Sequence, residues 1–268
     1  MSLIVTVCTS EGIVMASDSR SSLTKTNVIG ENNYIEIGAH YSDSTYKTFL
    51  CDNKIGISTC GNGTICGKSI ASHIENFINN VYDARNSLEI FVQKFHKYFF
   101  DFKHNDAVIF HVAGYEKTAG VDTFKVYRLN TRIDKFQLVI NNSCGAQWDG
   151  ESAILSRLVK NGYIVDDNEV INAKSVEVKN DDGTESETTE KINDCIIIPA
   201  YSQKHEELEI AWGFMTLQDG IDFAQYAIKT TIDTMRFQVA PKTVGGPIDV
   251  LVIKPNGAIW IAHKELHA

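Results

Sequence analysis

The sequence predicts an α+β fold: a four-layer αββα sandwich in which two antiparallel sheets lie face to face with helices outside them. Two observations lead there. Strand-like and helix-like segments come in runs, not in strict alternation, which argues against a doubly wound parallel sheet. Several strand segments are also apolar at consecutive positions, as in Ile13-Val14-Met15-Ala16, Val108-Ile109-Phe110 and Leu251-Val252-Ile253. A sheet with one wet face would alternate, so these strands are covered on both faces. The 268 residues give ample length for such a core.

The elements follow in order. Residues 3–8 and 13–17 read as strands joined at Ser10-Glu11-Gly12, and 47–50 and 54–60 as a second pair turning at Asp52-Asn53. Gly61-Asn62-Gly63 leads into a predicted helix over 64–81, where Ile65, Ile70, His73, Ile74, Phe77, Ile78 and Val81 recur at helical spacing. A second helix is expected over 88–102, its face carrying Phe91, Phe95, Tyr98, Phe99 and Phe102. Strands are predicted at 107–113, 124–128 and 135–140, helices at 152–160 and 217–235, and closing strands at 248–253 and 258–262, the last two turning at Pro255-Asn256-Gly257. Two polar stretches, 21–45 and 162–208, read as loops inserted into one domain that spans 1–268, the second with a hairpin tip at Asp182-Gly183.

Composition narrows the function. The net charge is −9, of which −7 lies in residues 166–194, where ten acids face three lysines. The remainder is nearly neutral and has no basic stripe, so nucleic acid is not an expected partner. Nor is a membrane, since no apolar run has the length of a membrane helix. A basic and then apolar leader is missing from the first residues, and the six cysteines form no C-x-x-C pair. Both features point to a cytoplasmic protein with reduced thiols. His96, His104 and His111 follow neither triad nor metal spacing, and no G-x-S-x-G elbow occurs. No metal or cofactor is expected.

The opening stretch, MSLIVTVCTSEGIVMASDSRSS, carries the chemistry. In a hairpin turning at 10–12, facing residue numbers sum to roughly 21–23, which sets Ser2 beside Ser19-Arg20-Ser21 and near Asp18. Removal of Met1, which a small second residue permits, gives Ser2 a free α-amine as well as its hydroxyl. An α-amine titrates at about 7.7–8.0, so near neutrality it can take the proton of its own residue's hydroxyl. Taken singly, Ser2, Asp18, Arg20, Lys47 and Gly61 are ordinary residues. Their joint spacing is what points to a site.

That spacing resembles the proteasome β-type subunits and their bacterial relatives, within the N-terminal nucleophile (Ntn) hydrolases. The pattern is a nucleophilic Thr or Ser, an apolar strand, an acid-Gly turn, a second apolar strand and Asp-x-Arg. Ser2, Glu11-Gly12 and Asp18-Ser19-Arg20 match it without a gap. Lys47 and, fourteen residues later, Gly61 match the next block. The resemblance implies the αββα fold and an amide-bond hydrolase, expected to be a peptidase, with Ser2 as nucleophile and its amine as proton acceptor. It further implies that Lys47 depresses the hydroxyl's pKa or relays protons, that Asp18 holds its charge, that Arg20 organises the Asp18 carboxylate and adjoining backbone, and that the Gly61 N–H stabilises the oxyanion. Where the family shows Asp-x-x-Ser-Gly-Gly, this chain has Pro241-Lys242-Thr243-Val244-Gly245-Gly246, leaving Thr243 and Gly245 as possible support. A further supporting residue of the family, ahead of a mid-chain glycine, corresponds to Ser143 or Cys144. Relatives assemble into rings, so a homo-oligomer is expected. Two other outcomes stay open: a catalytically silent, proteasome-like scaffold subunit, and a small-molecule amidase of the same superfamily.

Overall fold

Contacts within the chain divide it into two units, Met1–Ser156 with Glu209–Ala268, and Arg157–Leu208. The computed structural model describes residues 2–29, 32–102, 106–159, 162–163, 205–206 and 210–265, with the backbone alone over 24–29, 32–39, 162–163 and 205–206. The first fifteen elements are β1 (Leu3–Thr9), β2 (Gly12–Ser17), β3 (Ser21–Ile29), β4 (Asn32–Ser42), β5 (Thr48–Cys51), β6 (Ile55–Gly61), β7 (Thr64–Ile65), β8 (Lys68–Ser69), α1 (Ile70–Asn80), α2 (Leu88–Phe100), β9 (Val108–Thr118), β10 (Val121–Asn130), β11 (Phe136–Asn141), β12 (Gly145–Gly150) and α3 (Ala153–Val159). In the second unit, β13 (Gly162–Tyr163) pairs with β14 (His205–Glu206). The expected hairpin tip at Asp182-Gly183 and the acidic segment around it lie outside the described residues. The chain returns through a 3-10 turn at Trp212–Phe214, α4 (Leu217–Met235), β15 (Asp249–Lys254) and β16 (Gly257–Ala262).

Two five-stranded antiparallel sheets form the frame, ordered β12-β1-β2-β15-β16 and β11-β10-β9-β6-β5. The register β1–β2 pairs Ile4 with Ser17, Thr6 with Met15 and Cys8 with Ile13. Period two then assigns the faces. Cys8, Ile13, Met15, Leu251 and Ile253 of the first sheet join Ala113, Phe124, Val126 and Ile140 of the second in one apolar cluster. The opposite face of β1 and β2 meets α4, where a Cβ added to Gly220 would lie 3.0 Å from Thr9 and 3.4 Å from Val14. On the second sheet, Ile57, Phe110, Val112 and Leu129 pack with Ile74, Phe77, Phe91, Phe95 and Phe99 of α1 and α2. Strands β1, β2, β6 and β15 are buried along almost their whole length, which is why they are apolar at successive positions.

Three differences from expectation have local causes. Residues 21–45 are not a bare loop: β3 and β4 form a two-stranded hairpin from Ser21↔Ser42 to Ile29↔Asn32, carried by β-branched Thr24, Thr26, Val28, Ile35 and Ile37. The helix predicted from 64 starts at Ile70. Cys66 and Gly67 take left-handed dihedrals (φ 49° and 76°) that turn β7 into β8, and the Ser69 hydroxyl then caps α1 by accepting from the Ser72 N–H. Finally, β12 went unpredicted because Gly145-Ala-Gln-Trp-Asp-Gly150 has no apolar period.

Candidate active site

Asp18, directly after β2, is fully buried. Its Oδ1 accepts the Leu3 N–H at 3.0 Å and the Lys47 ammonium at 2.8 Å. Its Oδ2 accepts the amides of Arg20 at 3.1 Å and Gly245 at 3.0 Å. A carboxylate is stable out of water only with this kind of satisfaction. One side chain thereby fixes the start of β1 beside Ser2, the residue before β5 and the loop before β15.

Lys47 is 4% exposed, and its ammonium also donates to the Arg20 carbonyl. Burial pushes the Lys47 pKa down from its ordinary value, and Asp18 pulls it only part of the way back. The Lys47 carbonyl accepts the Thr59 N–H at 2.8 Å, which ties it to the end of β6 at Cys60–Gly61. Gly61 has φ +105°, and a Cβ there would sit 2.2 Å from the Ala107 carbonyl, so no other residue fits this backbone.

Ser2 is held from its other side. Its carbonyl accepts the Glu151 N–H at 2.7 Å. A Cβ on Gly150 (φ +101°) would lie 1.8 Å from that carbonyl oxygen and 3.3 Å from the Cys60 Cβ, so Gly150 touches both Ser2 and the residue before Gly61. The contacts Ser2–Gly150–Cys60, Thr59–Lys47 and Lys47–Asp18–Leu3 close a ring of neighbours that joins Ser2, Asp18, Lys47 and Gly61. Burial raises the Cys60 thiol to about 12, with Asp149 adding to the effect. Cys8 is pushed up likewise by burial. Neither thiol is a nucleophile at neutral pH.

The remaining expected residues divide. The Gly245 amide reaches Asp18, as above, and a Cβ there would lie 2.5 Å from the Arg20 Cζ. Arg20 reaches the Asp18 carboxylate through its backbone N–H and not through its guanidinium. That group instead makes a bidentate pair with Asp43, both bonds 2.7 Å, and stands 5.1 Å from the Tyr41 ring centroid. Asp18 and Lys47 are met by the Arg20 backbone, whose N–H donates to Asp18 and whose carbonyl accepts from Lys47. Thr243 is buried, and its hydroxyl has no hydrogen-bond partner among the described residues. Ser143 and Cys144 are at the wrong end of β1. Leu3 pairs with Gly150 and Cys8 with Gly145, five residues or about 17 Å along the strand. Their places beside Ser2 are taken by Gly150 and Glu151.

Sequence reasoning also missed a buried array between the sheets. The Thr6 hydroxyl lies 2.9 Å from His111 Nδ1, and His111 Nε2 lies 2.9 Å from Asp149 Oδ2. Arg128 holds both Asp149 oxygens at 2.7 Å. Burial lowers the His111 pKa, so the ring is neutral. With only an acceptor at Nε2, that nitrogen carries the proton and Nδ1 accepts from Thr6. For Asp149, burial acts upward, but hydrogen bonds from His111 and Arg128 outweigh it and hold the carboxyl well below the usual range. Thr6 and His111 are both wholly buried, so this hydroxyl–imidazole–carboxylate array offers nothing to a substrate. It ties β1 and β12 to β9 and β10. No spacing rule finds it, since its members come from two sheets.

Among the described residues, no cluster of three His, Cys, Asp or Glu is placed to hold a metal ion, and no helix is long and apolar enough to cross a membrane. No protein-family model matches the chain, and no curated protein matches it. Among solved structures, the Gly-1 mutant of Anbu from Hyphomicrobium sp. strain MC1 matches with a TM-score of 0.55 and 12% identity, over 100% of this chain and 88% of that one. Anbu is a bacterial proteasome-like protein, and at this identity the likeness concerns the fold: mixed α and β, with antiparallel sheets.

Proposed function

We propose that this chain is a proteasome-like N-terminal nucleophile hydrolase, a four-layer αββα sandwich that cleaves amide bonds, peptide bonds foremost, through an acyl-enzyme on Ser2. The observation that carries the reading is the Asp18 carboxylate, which binds both the amide next to Ser2 and the buried Lys47 ammonium. The fold likeness to a proteasome-like protein supports it at family level.

With the segment ahead of Ser2 removed, the freed α-amine takes the Oγ proton while Oγ bonds to the substrate carbonyl carbon. The carbonyl π pair moves to oxygen, and the Gly61 N–H donates to that oxyanion, a contribution of about 3–4 kcal/mol per donor in other acyl-transfer enzymes. Collapse of the tetrahedral centre breaks the C–N bond, and the leaving amine takes the proton from the α-ammonium. Water then repeats the cycle on the ester, releasing the acid and restoring Ser2. Lys47, kept against Asp18, supplies positive potential that favours the developing alkoxide. The protein acts as a homo-oligomer in the cytoplasm, in the manner of ring-forming relatives.

Two observations favour a second reading, a catalytically silent scaffold subunit: the loop before β15 has no acid, and the Thr243 hydroxyl is unpartnered among the described residues. Intact mass of protein from its native cell, together with turnover of fluorogenic peptide amides by wild type and Ser2→Ala, separates the two. The hydrolase reading requires a chain beginning at Ser2 and turnover that Ser2→Ala abolishes. A chain still blocked ahead of Ser2, or turnover equal in the two proteins, refutes it.

A further inference from the structure

Lys47 is held by more than Asp18. On one side of it, the Thr48 hydroxyl donates to the Ser17 hydroxyl at 2.8 Å and lies 3.0 Å from that of Ser58. On the other, the Tyr46 hydroxyl donates to the Lys264 carbonyl at 3.1 Å, and the Lys264 ammonium stands 4.7 Å from the Tyr46 ring centroid. Lys264, just beyond β16, is itself anchored. Its amide donates to Asp249 Oδ1 at 3.0 Å and its ammonium pairs with Asp249 Oδ2. Asp249 has no exposed side-chain surface, and the Lys264 side chain is 10% exposed. Asp249 is also the cross-strand partner of Ser17, the residue before Asp18. His263 completes the cluster, stacked on Trp260 at 3.9 Å with its Nδ1 3.6 Å from Asp249. A second buried ion pair thus lies beside the first, linked to it through Tyr46 in the segment before β5 and Ser17 on β2.

We propose that Lys264, anchored by Asp249 and Tyr46, is a positioning residue for Lys47: it fixes the segment just before β5 that carries Lys47 and sets a second cation beside it. The proposal rests on the role of Lys47 given above. The groups whose charge acts on Lys47 are Asp18 after β2, Cys60 on β6 and Lys264, while Lys47 in turn helps to hold down the pKa of Asp43 at the end of the hairpin. Of these, Lys264 works with burial to lower the Lys47 pKa and Asp18 works against both. A buried carboxylate such as Asp249 is what keeps a second cation stable at this position.

The two members of the pair then have opposite effects. Lys264→Met removes the cation and raises the Lys47 pKa. Asp249→Asn, an isosteric change that leaves Lys264 uncompensated, lowers it, and the double variant returns close to wild type. The expected displacements are opposite in sign in the two single variants. The direct readout is a 13C NMR titration of the Lys47 ε-carbon in wild type, Lys264→Met, Asp249→Asn and the double variant, assigned with Lys47→Arg and independent of any activity. Alongside it runs the pH dependence of Ser2 acylation by a serine-directed acylating probe in the same proteins. Opposite shifts in the two single variants support the proposal, and a merely structural role for the pair would not reverse sign. Lys47 titrating alike in all four proteins, or shifting the same way in both single variants, overturns it. Should Lys264→Met not fold, Asp249→Asn alone decides: a downward displacement supports the proposal and its absence refutes it. Opposite NMR shifts without acylation at Ser2 leave the coupling standing and sink the hydrolase reading instead.

Discussion

At the scale of the residue, Asp18 matters most. Four donors converge on it, and two of its neighbours, Lys47 and Ser2, are buried with it. Asp18→Ala leaves the Lys47 ammonium buried without its counter-ion, a loss expected to cost about 3–5 kcal/mol. A urea midpoint titration will show it, and the double variant with Lys47→Met should lose less than the two singles added, because each single leaves the other charge stranded. His111 gives a pH prediction with a definite sign. Its pKa in the fold lies below the ordinary 6.5 because burial disfavours the imidazolium. Between that depressed value and about 6.5 the unfolded chain binds a proton that the folded chain does not, so stability falls as pH falls through this window. Asp149, also depressed in the fold, adds a separate loss below its ordinary 3.8. Stability measured by denaturant from pH 7 to 5 should slope downward with acid in wild type and flatten in His111→Gln. An equal slope in both would refute the assignment of a buried neutral ring.

At the scale of the element, the long apolar faces were legible and the edges were not. The span of α4 read from sequence is the one observed, because Thr216 and Asp219 form a reciprocal capping box and the apolar stripe continues to Met235. Thr216→Ala should cost about 1 kcal/mol, seen as a lowered melting temperature. The face of α2 was equally plain, and Phe91, Phe95 and Phe99 do pack against Phe77 and Phe110. Phe77→Ala should therefore destabilise by about 3–5 kcal/mol in the same melt, well beyond any surface change on that helix. What escaped has physical reasons. Strand β12 hides because its inward residue, Asp149, serves a polar array instead of an apolar core. The first turn of the expected α1 is a tight hairpin, since Cys66 and Gly67 adopt dihedrals that end a helix rather than begin one. Of the candidate site, the hairpin arithmetic brought Asp18 to the start of β1 correctly. Nothing in the sequence marked Gly150, Asp43 or Lys264, because their relevance comes from cross-strand register and from which glycines leave room.

At the scale of the whole molecule, the two sheets share one core, and the polar groups near Ser2 gather where β1, β6, β12 and the loop before β15 meet. Loops and strand ends from several elements must therefore stay in place together for the proposed chemistry, and a change at Gly150 tests that directly. Gly150→Ala puts a methyl 1.8 Å from the Ser2 carbonyl oxygen and asks a left-handed dihedral of an alanine. It should abolish reaction at Ser2 even if the protein remains folded by circular dichroism. The central claim, that a free Ser2 is poised as a nucleophile beside Lys47, is tested most directly by one measurement: peptide mapping by mass spectrometry of the mature protein after exposure to a serine-directed acylating probe. The account predicts a single ester on the hydroxyl of an N-terminal Ser2, lost in Ser2→Ala and sharply slowed in Lys47→Met. A label at any other residue, or one that persists unchanged in Ser2→Ala, would contradict it.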